Sequence, residues 1–154
     1  MPIEYRVGDL FSDEGLPSLA HGCNCAGSMG RGIAVEFRRR WPAMYDAYRI
    51  ECKEGRFQPG EVFVWNAADK TIFNLATQPV ARPSARLEYI ETALKKAVGV
   101  SVSRGITTIG MPRIGAGYGG LDWGEVRQVL EAIAGKTAVT LAVFERPVSG
   151  TDRR

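Results

Sequence analysis

Apolar positions along this chain switch between two periods. "IEYRV" (3–7), "SLAHGC" (18–23), "EVFVWN" (61–66), "TIFNLA" (71–76), "ITTIG" (106–110) and "AVTLAVF" (138–144) are short runs rich in Val, Ile, Thr, Phe and Tyr, and they read as strands. Between them the spacing lengthens. Ile33, Phe37 and Trp41 recur every fourth residue, as expected for one face of a helix. Leu87, Ile90, Leu94, Ala97 and Val98 make a second such stripe, and Val126, Val129, Leu130 and Ile133 a third. Asp122 followed by Glu125 has the spacing of a capping box that opens the third helix. Ser84, just after Pro83, is placed to cap the second.

The later half thus alternates helix and strand, and two of its strands are continuous apolar runs, the mark of a strand covered on both faces. The expected fold is α/β: a three-layer α/β/α domain with a central mixed sheet over residues 1–145. "RPVSGTDRR" (146–154) reads as a polar C-terminal tail.

Composition adds exclusions. At 154 residues the chain is one domain's worth, and a formal charge of +3 neither demands nucleic acid nor repels a phosphate-bearing ligand. No apolar stretch approaches the roughly 20 residues of a membrane span, and "MPIEYRVGDLF" lacks the basic and apolar regions of a secretory signal. Three cysteines without disulfide or C-x-x-C spacing point to reduced thiols and a cytoplasmic setting. With a single histidine, His21, and no partners for Cys23-x-Cys25, no metal site is expected.

Three loops follow strands, the place where ligands collect in open α/β sheets. "GDLF" (8–11) offers Asp9, whose carboxylate suits either an adenine amino group or a turn cap. "GCNCAGSMGRGIA" (22–34) leads glycines into a helix start, with Asn24 suited to ribose hydroxyls or to an Asx-turn. "IGMPRIGAGYGGLDW" (109–123) contains G-x-G-x-x-G at Gly115, Gly117 and Gly120, a backbone able to expose N–H groups to a pyrophosphate ahead of a helix N-terminus. A dinucleotide dehydrogenase is the weaker reading: Pro112 and Arg113 separate the strand from the first glycine, and the 34 residues after Gly120 are too few for the second half of that fold. Phe144 ends a strand, placed for core packing or for stacking on a base. Arg38, Arg39 and Arg40 read as a solvated helix face, while Arg31, Arg82 and Arg86 can flank a pocket and meet phosphates.

Together, "VGDLF", "CNCAGSMGRGIAVEFRRRWP", "NLATQPVARPSARLEYIETALKKA" and "MPRIGAGYGGLDWGEV" resemble a macrodomain. The resemblance covers residues 3–145 and is to the branch holding terminal ADP-ribose protein glycohydrolase and the antitoxins that remove ADP-ribose from DNA. It implies that Asp9 and Leu10 hold the adenine and that Phe144 lies against it. Asn24 with Met29, Gly30, Arg31, Gly32 and Ile33 would hold the distal ribose. Backbone groups of Ile114, Gly115, Ala116, Gly117, Tyr118 and Gly119 would cradle the diphosphate. A bulky residue at Gly117 or Gly119 should then block the phosphates by crowding and by loss of φ > 0 freedom, sparing the fold if the loop is exposed.

The branch's catalytic lysine is replaced here by Gln78, and the aspartate of the protein glycohydrolase by Gly119. Glutamine has no amine to attack the anomeric carbon. The expected activity is a water-based release of mono-ADP-ribose from Glu or Asp side chains, needing no cofactor, with ADP-ribose and mono-ADP-ribosylated protein as partners. Asn24 is the residue expected to orient the ribose toward water, with Gln78 contributing less. A non-catalytic reader is the alternative; nucleic acid as substrate is not favoured.

Overall fold

A computed structural model describes residues 2–145; the tail at 146–154 lies outside the described residues. The chain runs β1 (Ile3–Val7), a 3-10 turn (Leu10–Ser12), β2 (Ser18–Asn24), α1 (Ile33–Arg40), α2 (Pro42–Lys53), β3 (Val62–Asn66) and β4 (Thr71–Gln78). It continues through α3 (Leu87–Arg104), β5 (Thr108–Met111), α4 (Trp123–Ala134) and β6 (Thr140–Glu145). The strands form one sheet in the order β1-β6-β5-β2-β4-β3, parallel except for β3, which pairs antiparallel with β4.

Alternation along the strands separates two cores. Ala20, Phe73, Leu75, Ile109, Leu141 and Val143 point toward α3 and α4, where they meet Ile90, Leu94, Val126 and Leu130. Leu19, Ile72, Ala76, Ala142 and Phe144 point the other way, toward Phe37 of α1 and Met44 and Tyr48 of α2. This is the three-layer α/β/α arrangement with a mixed sheet. β4 is buried from Ile72 to Gln78, which accounts for its unbroken apolar reading.

Several expectations need correction. α2 is a helix of 12 residues that the stripe analysis does not find. Pro42 ends the Ile33–Phe37–Trp41 stripe, yet Pro fits the first turn of a new helix, where its missing N–H is not needed. β4 runs two residues beyond Ala76, because Gln78 pairs with Asn24 of β2 across a register shift that leaves Thr77 without a partner in the ladder. β5 and β6 each start two residues later than the apolar runs do. Ser84 does not cap α3: the helix starts at Leu87 behind Arg86, and the Ser84 hydroxyl donates instead to the carbonyls of Val80 and Arg82. Asp122 does cap α4, accepting from the Glu125 N–H.

Candidate functional site

The carboxyl ends of β1, β2, β4, β5 and β6 all open on the same edge of the sheet, so the loops after them converge. A larger concavity lies elsewhere, about 530 Å³ between α2 and β3, lined by Ala47, Ile50, Phe63 and Trp65. It is open and faces none of the glycine loops. The cleft of interest lies between the 22–34 and 112–121 loops, with Gly22, Asn24, Met29, Gln78 and Tyr118 among its walls.

The 112–121 loop is held by three backbone bonds: Ala116 N–H to the Arg113 carbonyl, Leu121 N–H to Gly115, and Gly120 N–H to Gly117. The N–H groups of Gly115, Gly117, Tyr118 and Gly119 donate to no acceptor among the described residues. Backbone donors left without partners in a turn form a concave anion site. The left-handed conformations fall at Gly115 (φ 79°) and Gly120 (φ 84°), not at Gly117 or Gly119, so the expected loss of φ > 0 freedom at those two positions does not apply. Nor is Gly119 an open position: it is buried, and a Cβ there would lie 2.5 Å from the Gly115 carbonyl oxygen. Gly117 has nothing within 4 Å.

Across the cleft, Gly32 (φ 60°) precedes α1, and no side chain caps that helix end. Its first N–H groups are therefore left for a ligand. A Cβ at Gly32 would meet the Tyr118 ring at 2.9 Å, and the Arg31 guanidinium sits 5.8 Å from the same ring. Tyr118, more than half exposed, thus bridges the two loops. Met29 is buried beneath, and Ile33 opens α1. Ile114 is buried below the second loop, while Ala116 and Gly30 remain accessible.

Asn24 is committed to its own loop. Its Oδ1 accepts from Ala26 N–H (3.0 Å), Ser28 N–H (3.3 Å) and the Tyr48 hydroxyl (3.0 Å), while Nδ2 donates to the Ser28 carbonyl (2.9 Å). The Asx-turn is therefore real, and Tyr48 secures it with one hydroxyl hydrogen shared between that Oδ1 and the Asn24 carbonyl, 2.7 Å away. Sequence reasoning missed Tyr48; its signal was the Met44–Tyr48 spacing of four, buried on one face of α2. Asp9 accepts from Phe11 N–H at 2.9 Å as the cap of the 3-10 turn, yet its carboxylate is exposed and Leu10 behind it is buried. Phe144 is a core residue with the Arg6 guanidinium 5.4 Å from its ring. Of the flanking arginines, Arg31, Arg82 and Arg86 are exposed.

The cysteines are not nucleophiles. Burial pushes the Cys23 thiol well up and Cys25 to about 12, and raises Cys52 as well, so all three stay protonated at neutral pH. Among the residues lining the cleft there is no carboxylate, lysine or histidine. Among the described residues no cluster of three His, Cys, Asp or Glu side chains can hold a metal, and no helix is long and apolar enough to cross a membrane.

A parallel-rich α/β sheet with unpaired loop N–H groups and an uncapped helix end at its carboxyl edge defines a class of α/β domain that presents backbone donors suited to an anion. More narrowly, the chain belongs to the Macro domain family, whose model matches residues 20–130. It is 35% identical over 153 residues to a DNA ADP-ribosyl glycohydrolase of Mycobacterium tuberculosis, covering 97% of this chain but 43% of that protein. The chain thus spans less than half the length of that relative. It is 30% identical to the human ADP-ribose glycohydrolase OARD1, covering 92% of this chain and 90% of that one. Its structure matches the macrodomain of Mycobacterium tuberculosis DarG with a TM-score of 0.85 at 36% identity, over 96% of this chain and 98% of the other.

Proposed function

We propose that this protein binds ADP-ribose and hydrolyses mono-ADP-ribose esters of glutamate and aspartate side chains, using water and no catalytic lysine. The observation that carries the proposal is the pairing of the N–H groups of Gly115, Gly117, Tyr118 and Gly119, which bond no described group, with a cleft whose lining has no carboxylate, lysine or histidine. These donors and the open end of α1 suit the diphosphate and the distal ribose. Relatives named as ADP-ribosyl and ADP-ribose glycohydrolases support hydrolysis as the class.

Leaving-group chemistry selects the bond. A glutamyl or aspartyl ester departs as a carboxylate whose conjugate acid has a pKa of about 4, and so needs no proton delivered. A serine ether or arginine linkage leaves as a far stronger base. In this assignment the exposed Asp9 meets the adenine amino group, Phe144 backs the adenine, and the Asn24 turn shapes the ribose subsite. Three protonated free thiols suit a reducing, cytoplasmic setting.

The test offers protein mono-ADP-ribosylated on glutamate, serine or arginine and measures released ADP-ribose. The ester should turn over at least tenfold faster than the others. Serine-linked substrate cleaved as readily overturns the leaving-group argument, and tight binding with no release makes the protein a reader. Asp9→Ala should weaken ADP-ribose binding by about 1.5–3 kcal/mol, the loss of a charged acceptor, as read by calorimetry; unchanged affinity would remove Asp9 from the adenine subsite.

A second reading, hydrolysis of ADP-ribosylated DNA, is favoured by the exposed Arg31 in the cleft lining and by relatives named as DNA ADP-ribosyl glycohydrolases. It predicts binding to ADP-ribosylated DNA that falls steeply with salt, as phosphate contacts do.

A further inference from the structure

The residue at the lysine position has a fixed orientation. Gln78 is nine-tenths buried at the cleft floor, directly across from Asn24 on the neighbouring strand. Its Nε2 donates to the Val80 carbonyl at 2.8 Å and to the Arg82 carbonyl at 3.0 Å. Both amide hydrogens are therefore used, and the amide cannot flip without facing two carbonyls with an oxygen. The Oε1 accepts from no described group, and no side-chain oxygen of the described residues is sealed from solvent without a partner, so this oxygen opens on the cleft. Asn24, by contrast, has three donors on its Oδ1. One side-chain acceptor at the floor is thus oriented and unpartnered.

Building on the hydrolase reading above, we propose that Gln78 is a positioning residue whose Oε1 accepts one O–H of the attacking water and aims its lone pair at the distal ribose. A neutral amide takes no proton. The water oxygen bonds to the anomeric carbon as the bond from that carbon to the acyl oxygen breaks. The electron pair leaves with the carboxylate, and the water's proton passes to that carboxylate and on to solvent. The role differs from the attack that a lysine makes, and it reverses the expectation that Asn24 does the orienting.

The rival role, merely holding the 79–84 turn, can be isolated, because the Ser84 hydroxyl donates to the same two carbonyls, Val80 and Arg82. Three variants are compared on glutamate-linked substrate. Gln78→Leu should lower kcat at least tenfold while ADP-ribose affinity stays within threefold of the parent. Ser84→Ala should keep kcat within twofold. Gln78→Glu keeps an acceptor but sets a second oxygen against the Val80 and Arg82 carbonyls, a geometry held only while the carboxyl is protonated, so its kcat should fall as pH rises through that carboxyl's titration, a limb that the parent lacks. A Gln78→Leu protein with parental kcat, a Ser84→Ala protein falling as far as Gln78→Leu, or a Gln78→Glu profile without the new limb would each overturn the assignment. Should Gln78→Leu fail to fold, the Gln78→Glu profile decides alone. No ester turnover by the parent protein sinks the hydrolase reading and this one together; turnover indifferent to residue 78 sinks only this one.

Discussion

Lowering the pH from 7 to 5 is expected to remove about 2 kcal/mol of folding free energy, and reaching pH 4 or below about 3 kcal/mol, through one side chain. His21 is fully buried in β2, its ring stacked 3.8 Å from that of Phe37, and burial lowers its pKa to about 4 despite the bond to Asn74. Asn74 gives its Nδ2 hydrogen to the Phe63 carbonyl, so its Oδ1 faces His21 Nε2 at 2.7 Å and that nitrogen must carry the proton. The other ring nitrogen has the Cys23 sulfur as its partner, a weak contact at 3.8 Å. Because Cys23 stays protonated, no neighbouring negative charge rescues an imidazolium. The folded-state pKa lies below the unfolded value of about 6.5, so the unfolded chain binds the extra proton first. Stability is therefore complete above pH 6.5, declines as pH falls through the interval, and levels off below 4. Urea unfolding at pH 7, 6 and 5, with the single imidazole followed by NMR, checks this. A ring that titrates near 6.5 in the folded protein, or unfolding midpoints that coincide at pH 7 and 5, would count against it.

Gly119→Ala is expected to abolish measurable ADP-ribose binding and to lose about 1–3 kcal/mol of stability, whereas Gly117→Ala keeps the fold. A methyl at 119 meets the Gly115 carbonyl oxygen at 2.5 Å and the Ala85 Cβ at 2.9 Å. The Gly119 carbonyl also accepts from Ala85 N–H, so any retreat breaks the tie between this loop and the start of α3. A methyl at 117 meets nothing within 4 Å, and the residue has no left-handed φ to lose. Larger side chains at 117 then occupy only ligand space, so Gly117→Val should keep its thermal midpoint and lose affinity. Calorimetric titration and melting of the three variants separate the cases. Parental affinity in Gly117→Val would place the diphosphate elsewhere.

The difference between those two glycines shows where reading the sequence stopped. Six strands, the three stripes and the loops beyond the strands were all visible, because period and composition are local properties. Which of several glycines is left-handed, and which is jammed against the Gly115 carbonyl, depends on how the loop folds back on itself and on Ala85 and Ile90, which come from a distant part of the chain. The helix α2 escaped notice because its buried face rests on few residues, Met44 and Tyr48, behind a proline. With it went the Tyr48–Asn24 bond that ties down the ribose-side loop, a pairing across 24 residues with no local trace. Gln78 was legible as a departure from the family pattern, but its orientation came only from the carbonyls of Val80 and Arg82.

The place of β6, inserted between β1 and β5, also sets the order in which the protein can be assembled. Ile3 pairs with Leu141 and Val7 with Glu145, so this domain's β1 has no partner until its β6 has left the ribosome. Pairings of such sequence separation are slow to close and leave strand edges exposed in the meantime. β2, β4 and β3, which are neighbours in both sequence and sheet, can form early and carry Asn24 and Gln78 with them. Asp9 and Phe144 are brought to the same edge only by the closing β1–β6 pairing. The Asn24–Gln78 side of the cleft is thus shaped while the domain is still emerging, and the Asp9–Phe144 side joins it only when β1 and β6 pair.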